Sequence, residues 1–125
     1  MPAPSTTVPV DWLRSAVARV FVAAGLSQAD AGAIGGALVE ADLRGIPSHG
    51  VMLVPMYVDR LSAGSVTTAS RGELVVDTGA IAVLDAQNAM GILTADQGMS
   101  LAIARARDHG VGVVVARRAF HFGAA

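Results

Sequence analysis

Cysteine is absent from the 125 residues, and so is lysine: all nine basic residues are arginine. The first absence excludes disulfides, thiolate nucleophiles and cysteine metal sites. The second excludes Schiff-base chemistry through a lysine amine. Charge is scarce, 15% of residues, and nearly balanced at a net −1. There is no basic field to attract nucleic acid or an anionic membrane surface. Long apolar runs are missing as well. No window approaches the roughly 18 uninterrupted apolar residues of a membrane span. The opening MPAPSTTVPV has neither the basic start nor the apolar core of a secretory signal. The expectation is a cytoplasmic protein that meets small molecules, with no nucleic acid and no membrane.

What is there is apolar sequence: 53% hydrophobic residues and a mean hydropathy of +0.54. That exceeds ordinary usage for a domain of this length. Much of the surface is then expected to be covered by a partner or by further chain. Residues 1–10 read as a loose arm. Asp11 is a plausible N-cap for a helix whose face is Leu13, Val17, Val20, Phe21 and Ala24, stopped by Gly25. Ser27 and Asp30 form an S-x-x-D capping box for a second helix, with Ala31, Ile34, Leu38 and Ala41 on its face and Gly45 near its end. Val54, Val58 and Leu61 suggest a third helix closed by Gly64; Pro55 either starts it or kinks it.

The texture changes after residue 65. GELVVD and AIAVLD read as strands about an Asp77-Thr78-Gly79 turn. A helix follows, with Ile92, Met99, Ile103 and Ala106 at helical spacing and Arg105, Arg107 and His109 in its last turn. VGVVVA then reads as a continuous buried strand, completing a β-α-β unit with parallel strands. The fold class is α/β. A helical segment, residues 1–64, precedes the beginning of an α/β sheet, residues 65–125, which is expected to be unfinished because its last strand falls at the end of the sequence.

Chemistry has few places to reside. Neither G-x-G-x-x-G nor a Walker loop is present. The acids are too dispersed for a glycosidase pair, and three scattered histidines do not make metal-ligand spacing. His49 stands out in EADLRGIPSHGVMLVPMYVDRL, exposed on a tight loop between Pro47 and Gly50 with Ser48 beside it. Histidine is the side chain best suited to move a proton near neutral pH. Two readings stay open: an acid/base group oriented by Ser48, or a plain loop residue after a Ser48 N-cap. Asp42 is the nearest preceding acid, but its place on the helix gives no reason to put it at the ring. His121 lies between Phe120 and Phe122 just past a strand end, where open α/β sheets bind ligands. It is either a pocket residue or a packed core histidine. His109 reads as a helix C-terminal cation, and Arg117-Arg118 as a solvated rim.

Taken together, AAGLSQADAGAIGGALVEADLRGIPSHGV, YVDRLSAG, AVLDAQNAMGILTADQGMSLAIARARDHGVGVVVAR and HFGAA resemble the malate/L-lactate dehydrogenase family of the non-Rossmann type, which also contains ureidoglycolate, sulfolactate and diketogulonate dehydrogenases and piperideine-carboxylate reductases. The order and spacing of four blocks make the resemblance specific over nearly the whole chain. It implies an unusual α/β cofactor fold, a homodimer, and hydride transfer between NAD or NADP and a 2-hydroxy or 2-amino acid and its oxidised form. It implies that His49 is the general acid/base with Ser48 as its relay partner, that Gly50 lets substrate approach, and that His121, Phe122, Gly123 and Ala124 belong to the nicotinamide pocket. No metal is implied. The family is longer, so the chain looks like an N-terminal portion that a C-terminal segment would complement. The alternative is a non-catalytic truncated module that only dimerises or binds a partner. Where the family often carries arginines after its SHG element, this chain has Leu53 and Met56, so a substrate carboxylate must be met elsewhere.

Overall fold

The computed structural model describes residues 6–124. Helix α1 (Val10–Ala23) packs lengthwise on α2 (Gln28–Leu43). Asp11 does not cap α1: Pro9 occupies the cap position, its carbonyl accepts from Leu13 N–H at 3.0 Å, and Asp11 falls in the first turn, where an acid still complements the helix dipole. The second cap is as expected. Ser27 Oγ accepts from the Asp30 N–H at 3.1 Å and donates to the Asp30 carboxylate at 2.7 Å. Ala31, Ile34, Leu38 and Ala41 of α2 are all buried.

Two short 3₁₀ turns, Pro47–His49 and Val51–Leu53, lead into α3 (Val54–Ser62). Pro55 sits in the first turn of α3, where its missing N–H costs nothing, so it starts this helix and does not kink it. Strands β1 (Glu73–Asp77) and β2 (Ile81–Asp85) form an antiparallel hairpin. Its turn is tied by Gly79 N–H donating to Asp77 Oδ1 at 3.1 Å. Helix α4 (Gly91–His109) crosses over to β3 (Val113–Arg117), which pairs parallel with β2. The sheet is mixed, in the order β1-β2-β3.

Two expectations for this half need correction. Met99 and Ile103 are 62% and 47% exposed, so they do not form the packed face of α4. The face that meets the sheet is built of small residues instead. Gly98 lies against Val114 and Leu84, and a Cβ on Gly112 would strike the Ala102 carbonyl. Helix and strand approach closely because side chains are nearly absent there. Nor is β3 a buried strand. It is an edge, and Val113 and Val115 face outward with Val76 and Ile81.

The ends of β2 and β3 are joined by a charge cluster. Asp85 is 3% exposed. Its Oδ1 accepts from Arg118 Nε at 2.8 Å and Nη2 at 2.7 Å, and its Oδ2 from Arg117 Nε at 2.9 Å. Arg117-Arg118 is therefore an exposed rim, with side chains 60% and 56% exposed, that also anchors the buried Asp85. The Arg118 hydrogen bond holds the Asp85 carboxyl below its ordinary range; burial opposes this, and the Gln87 N–H and Arg117 assist. One apolar core, with Phe21, Ile34, Leu38, Tyr57, Val66, Met90 and Leu93, draws on both halves of the chain. Among the described residues no helix is long and apolar enough to cross a membrane.

Candidate active site

The Ser48-His49 loop is held by the helix it follows. After α2, Gly45 turns the chain at φ +74°, and Pro47 opens a 3₁₀ turn closed by Gly50 N–H donating to the Pro47 carbonyl at 3.0 Å. Asp42 Oδ2 then accepts from the Val51 N–H at 2.9 Å. The Asp42 carboxylate fills the space that a Cβ on Gly50 would need. A side chain at position 50 would have to displace the Asp42 carboxylate from this clip, a reason for glycine that stands beside the substrate approach the resemblance implies. Asp42 is spent on backbone. Among the described residues no carboxylate hydrogen-bonds Ser48 or His49. Ser48 Oγ lies 3.0 Å from His49 Nδ1, with Ser48 exposed and His49 half-buried. That contact orients the ring and leaves Nε2 without a hydrogen-bond partner among the described residues.

The second part of the site is held by β3 and the loop before α4. Beyond Arg117 the chain runs against residues 86–91. Ala86 N–H donates to the Arg117 carbonyl at 2.9 Å, Asn88 N–H to that of Arg118 at 2.8 Å, and Phe120 N–H to that of Ala89 at 3.2 Å. Gly91, the first residue of α4, lies so close that a Cβ there would overlap the Phe120 carbonyl. Phe120 packs edge-on against Tyr57 of α3, centroids 5.5 Å apart. The next residue, His121, places Nδ1 2.6 Å from the Tyr57 hydroxyl.

The two parts meet. The rings of His49 and His121 stack with centroids 5.4 Å apart and planes 29° apart. Phe122, 58% exposed, lies near-parallel to His121 at 6.3 Å. Gly123 turns at φ +87° beside Ile92, and Ala124 shares a shallow groove with Ala37, Glu40, Ala41 and Arg44 of the α2 end. Ser48, His49, His121 and Phe122 therefore form one surface, with Gly123 and Ala124 leading away from it. His109 is not part of it; its ring lies at the Gly79 turn.

Sequence reasoning passed over Tyr57. It is fully buried, and burial pushes its hydroxyl up to about 12. The signal was present: position 57 shares the α3 face of Val54, Val58 and Leu61, and a phenol placed there must find a partner. The result is two imidazoles face to face, one hydrogen-bonded to an alcohol and the other to a phenol, beside an exposed aromatic ring. Such an arrangement can move a proton at a ligand atom while a flat ring lies alongside.

Residues 8–125 match the family described as malate/L-lactate dehydrogenase. The malate dehydrogenase of Pyrococcus horikoshii is 36% identical over 118 residues, which is 94% of this chain and 33% of that protein. The 2,3-diketo-L-gulonate reductase of Citrobacter koseri is 36% identical over 115 residues, 92% of this chain and 35% of that one. Among solved structures, the sulfolactate dehydrogenase of Methanocaldococcus jannaschii superposes with a TM-score of 0.92 at 32% identity, over 96% of this chain and 35% of that one. The malate dehydrogenase of Pyrococcus horikoshii OT3 gives 0.91 at 36% identity, over 94% and 34%. The chain spans about a third of the length of the curated relatives it matches.

Proposed function

The chain belongs to the malate/L-lactate dehydrogenase family, and on that premise we propose that it forms part of an oxidoreductase that transfers a hydride between NAD or NADP and a 2-hydroxy or 2-amino acid-like substrate. The observation that carries the proposal is the stack of His49, oriented by Ser48, on His121.

His49 is the general acid/base. In the reducing direction its Nε2 delivers a proton to the substrate oxygen or nitrogen, and in oxidation it removes one. Ser48 holds the ring through Nδ1 and relays the proton. The residues of the 121–124 segment suit the nicotinamide end of the cofactor. A flat aromatic ring needs an apolar face, which exposed Phe122 offers. Its carboxamide needs a polar neighbour, which half-buried His121 offers. Gly123 and Ala124 line the way without bulk. When bound, the cofactor supplies or accepts the hydride; the chain's own residues manage the proton and the orientation.

In this reading residues 1–64 carry the acid/base element and residues 65–125 begin the cofactor-binding part of a cytoplasmic enzyme. The outward apolar side chains Val76, Ile81, Val113 and Val115 are assigned to a second subunit or to further chain.

The test uses the full-length protein that contains these residues. His49→Ala should lower kcat by roughly 10²–10⁴-fold with NAD(P)H affinity little changed. His121→Ala should weaken NAD(P)H binding, read by fluorescence titration, more than substrate binding. Near-normal turnover in the first variant and an unchanged dissociation constant in the second would return both histidines to structural roles.

A further inference from the structure

Tyr57 is buried completely, and its hydroxyl has one hydrogen-bond partner among the described residues, His121 Nδ1 at 2.6 Å. A phenol has a single proton to give. If Nδ1 carried the proton and donated it, the phenolic proton would be left inside the protein with nothing to accept it. Buried donors are seldom left so, because the lost solvation is not recovered. If Tyr57 donates, both atoms are satisfied at once. The other ring nitrogen must then carry the proton of the neutral imidazole.

We infer that Tyr57 is a positioning residue: its hydroxyl donates to His121 Nδ1, fixes that ring as the Nε2–H tautomer, and so presents an N–H donor, in the ring stacked on His49, to an acceptor oxygen of a bound ligand. The surroundings hold the tyrosine for this task. Its ring packs between Phe21, at 6.2 Å, and Phe120, at 5.5 Å, so the phenol cannot swing away. Burial keeps the hydroxyl protonated well above neutral pH. His49 and His121 thereby differ in kind. Ser48 holds the first by a rotatable hydroxyl that can give or accept, which suits a group that gains and loses a proton. A one-way phenol holds the second, which suits a fixed donor. The ligand atom at His121 Nε2 is then a carbonyl or carboxamide oxygen and not an N–H group. This consequence rests on the proposed active site; the tautomer itself does not.

The test is a long-range ¹H–¹⁵N correlation of the histidine rings in ¹⁵N-labelled protein. In the wild type, neutral His121 should appear as a single tautomer protonated at Nε2. Tyr57→Phe keeps the ring and its contacts and removes only the donor, so the Nδ1–H form of His121 should rise severalfold while circular dichroism stays unchanged. A wild-type His121 protonated at Nδ1 would overturn the inference. So would a folded Tyr57→Phe variant with the tautomer unaltered. Should that variant not fold, the wild-type spectrum decides alone. The measurement needs neither cofactor nor turnover. Failure to bind NAD(P)H would therefore count against the proposed activity and leave the tautomer result standing.

Discussion

Gly91 opens α4 where the helix crosses behind Phe120 and His121. Replacing it with alanine adds one carbon. That carbon would overlap the Phe120 carbonyl oxygen and lie 2.6 Å from the carbonyl carbon and oxygen of His121. Carbon contacts are comfortable at about 3.5–4.0 Å, so either the helix start or the 120–121 segment must retreat by roughly 1 Å. Overpacking of this kind costs about 1–3 kcal/mol. Against it stands the gain of about 0.5–1 kcal/mol that alanine brings over glycine in a helix. The control is Gly32→Ala in α2, where a Cβ would meet nothing within 4 Å; only the gain applies there. The two variants should therefore differ by about 2 kcal/mol in urea unfolding, Gly91→Ala being the weaker. Where the 120–121 segment is the part that retreats, the 2.6 Å contact between Tyr57 and His121 is stretched out of hydrogen-bond range. In the full-length protein, a misplacement of about 1 Å at the site should cost on the order of 10²-fold in turnover. If Gly91→Ala matches Gly32→Ala in stability, the close approach is not a constraint and the argument fails.

Two other outcomes are expected. The native Asp85 carboxyl is held below its ordinary value of 3.8, so its contribution to stability is present above 3.8 and is lost as pH falls through the lowered native value. Asp85→Asn should lose that contribution at neutral pH and show a flatter acid limb in a pH series of thermal melts; an unchanged limb would mean the arginines do not act on it. Leu53 and Met56 are partly buried apolar side chains packed on the core, and a carboxylate buried without a charge partner is costly. The full-length protein should therefore be weak on malate and lactate, and a substrate screen that ranks malate first would contradict this.

The sequence was legible wherever one residue's chemistry had one solution. Ser27 with Asp30 could only cap a helix, Asp77-Thr78-Gly79 could only turn, and a histidine between proline and glycine had to sit on a loop. Periodicity failed where it had to choose a face. Met99 and Ile103 share the helical spacing of a core stripe, yet α4 reaches the sheet through Gly98 and Ala102, because closeness there is set by what the side chains lack. The run at Val113–Arg117 is an exposed edge among the described residues, as an unfinished sheet requires, and its apolar content does not say what covers it. The exposure of Arg117-Arg118 was legible but its pairing was not, because Asp85 is distant in sequence and meets it through the parallel register of β2 and β3. Tyr57 was missed for the same reason: its partner arrives with the end of β3.

The site has a common logic. His49 and His121 lie 72 residues apart in the sequence, and neither is held mainly by its own loop. Asp42, in the last turn of α2, clips the backbone after His49 through Val51. The backbone zipper of residues 86–89 with 117–120, together with the bare Gly91, fixes the approach to His121. Between them stands α3, which begins directly after the His49 loop and sends Tyr57 through the core to His121. Each imidazole thus hangs from a helix or a ladder, and one buried phenol ties the two supports together. A loop pair held in this way needs no disulfide to keep its stacking distance, and a chain without cysteine has none to offer. Among the described residues the distal nitrogens of both rings keep no hydrogen-bond partner, which is what the proposed proton transfer at His49 would need.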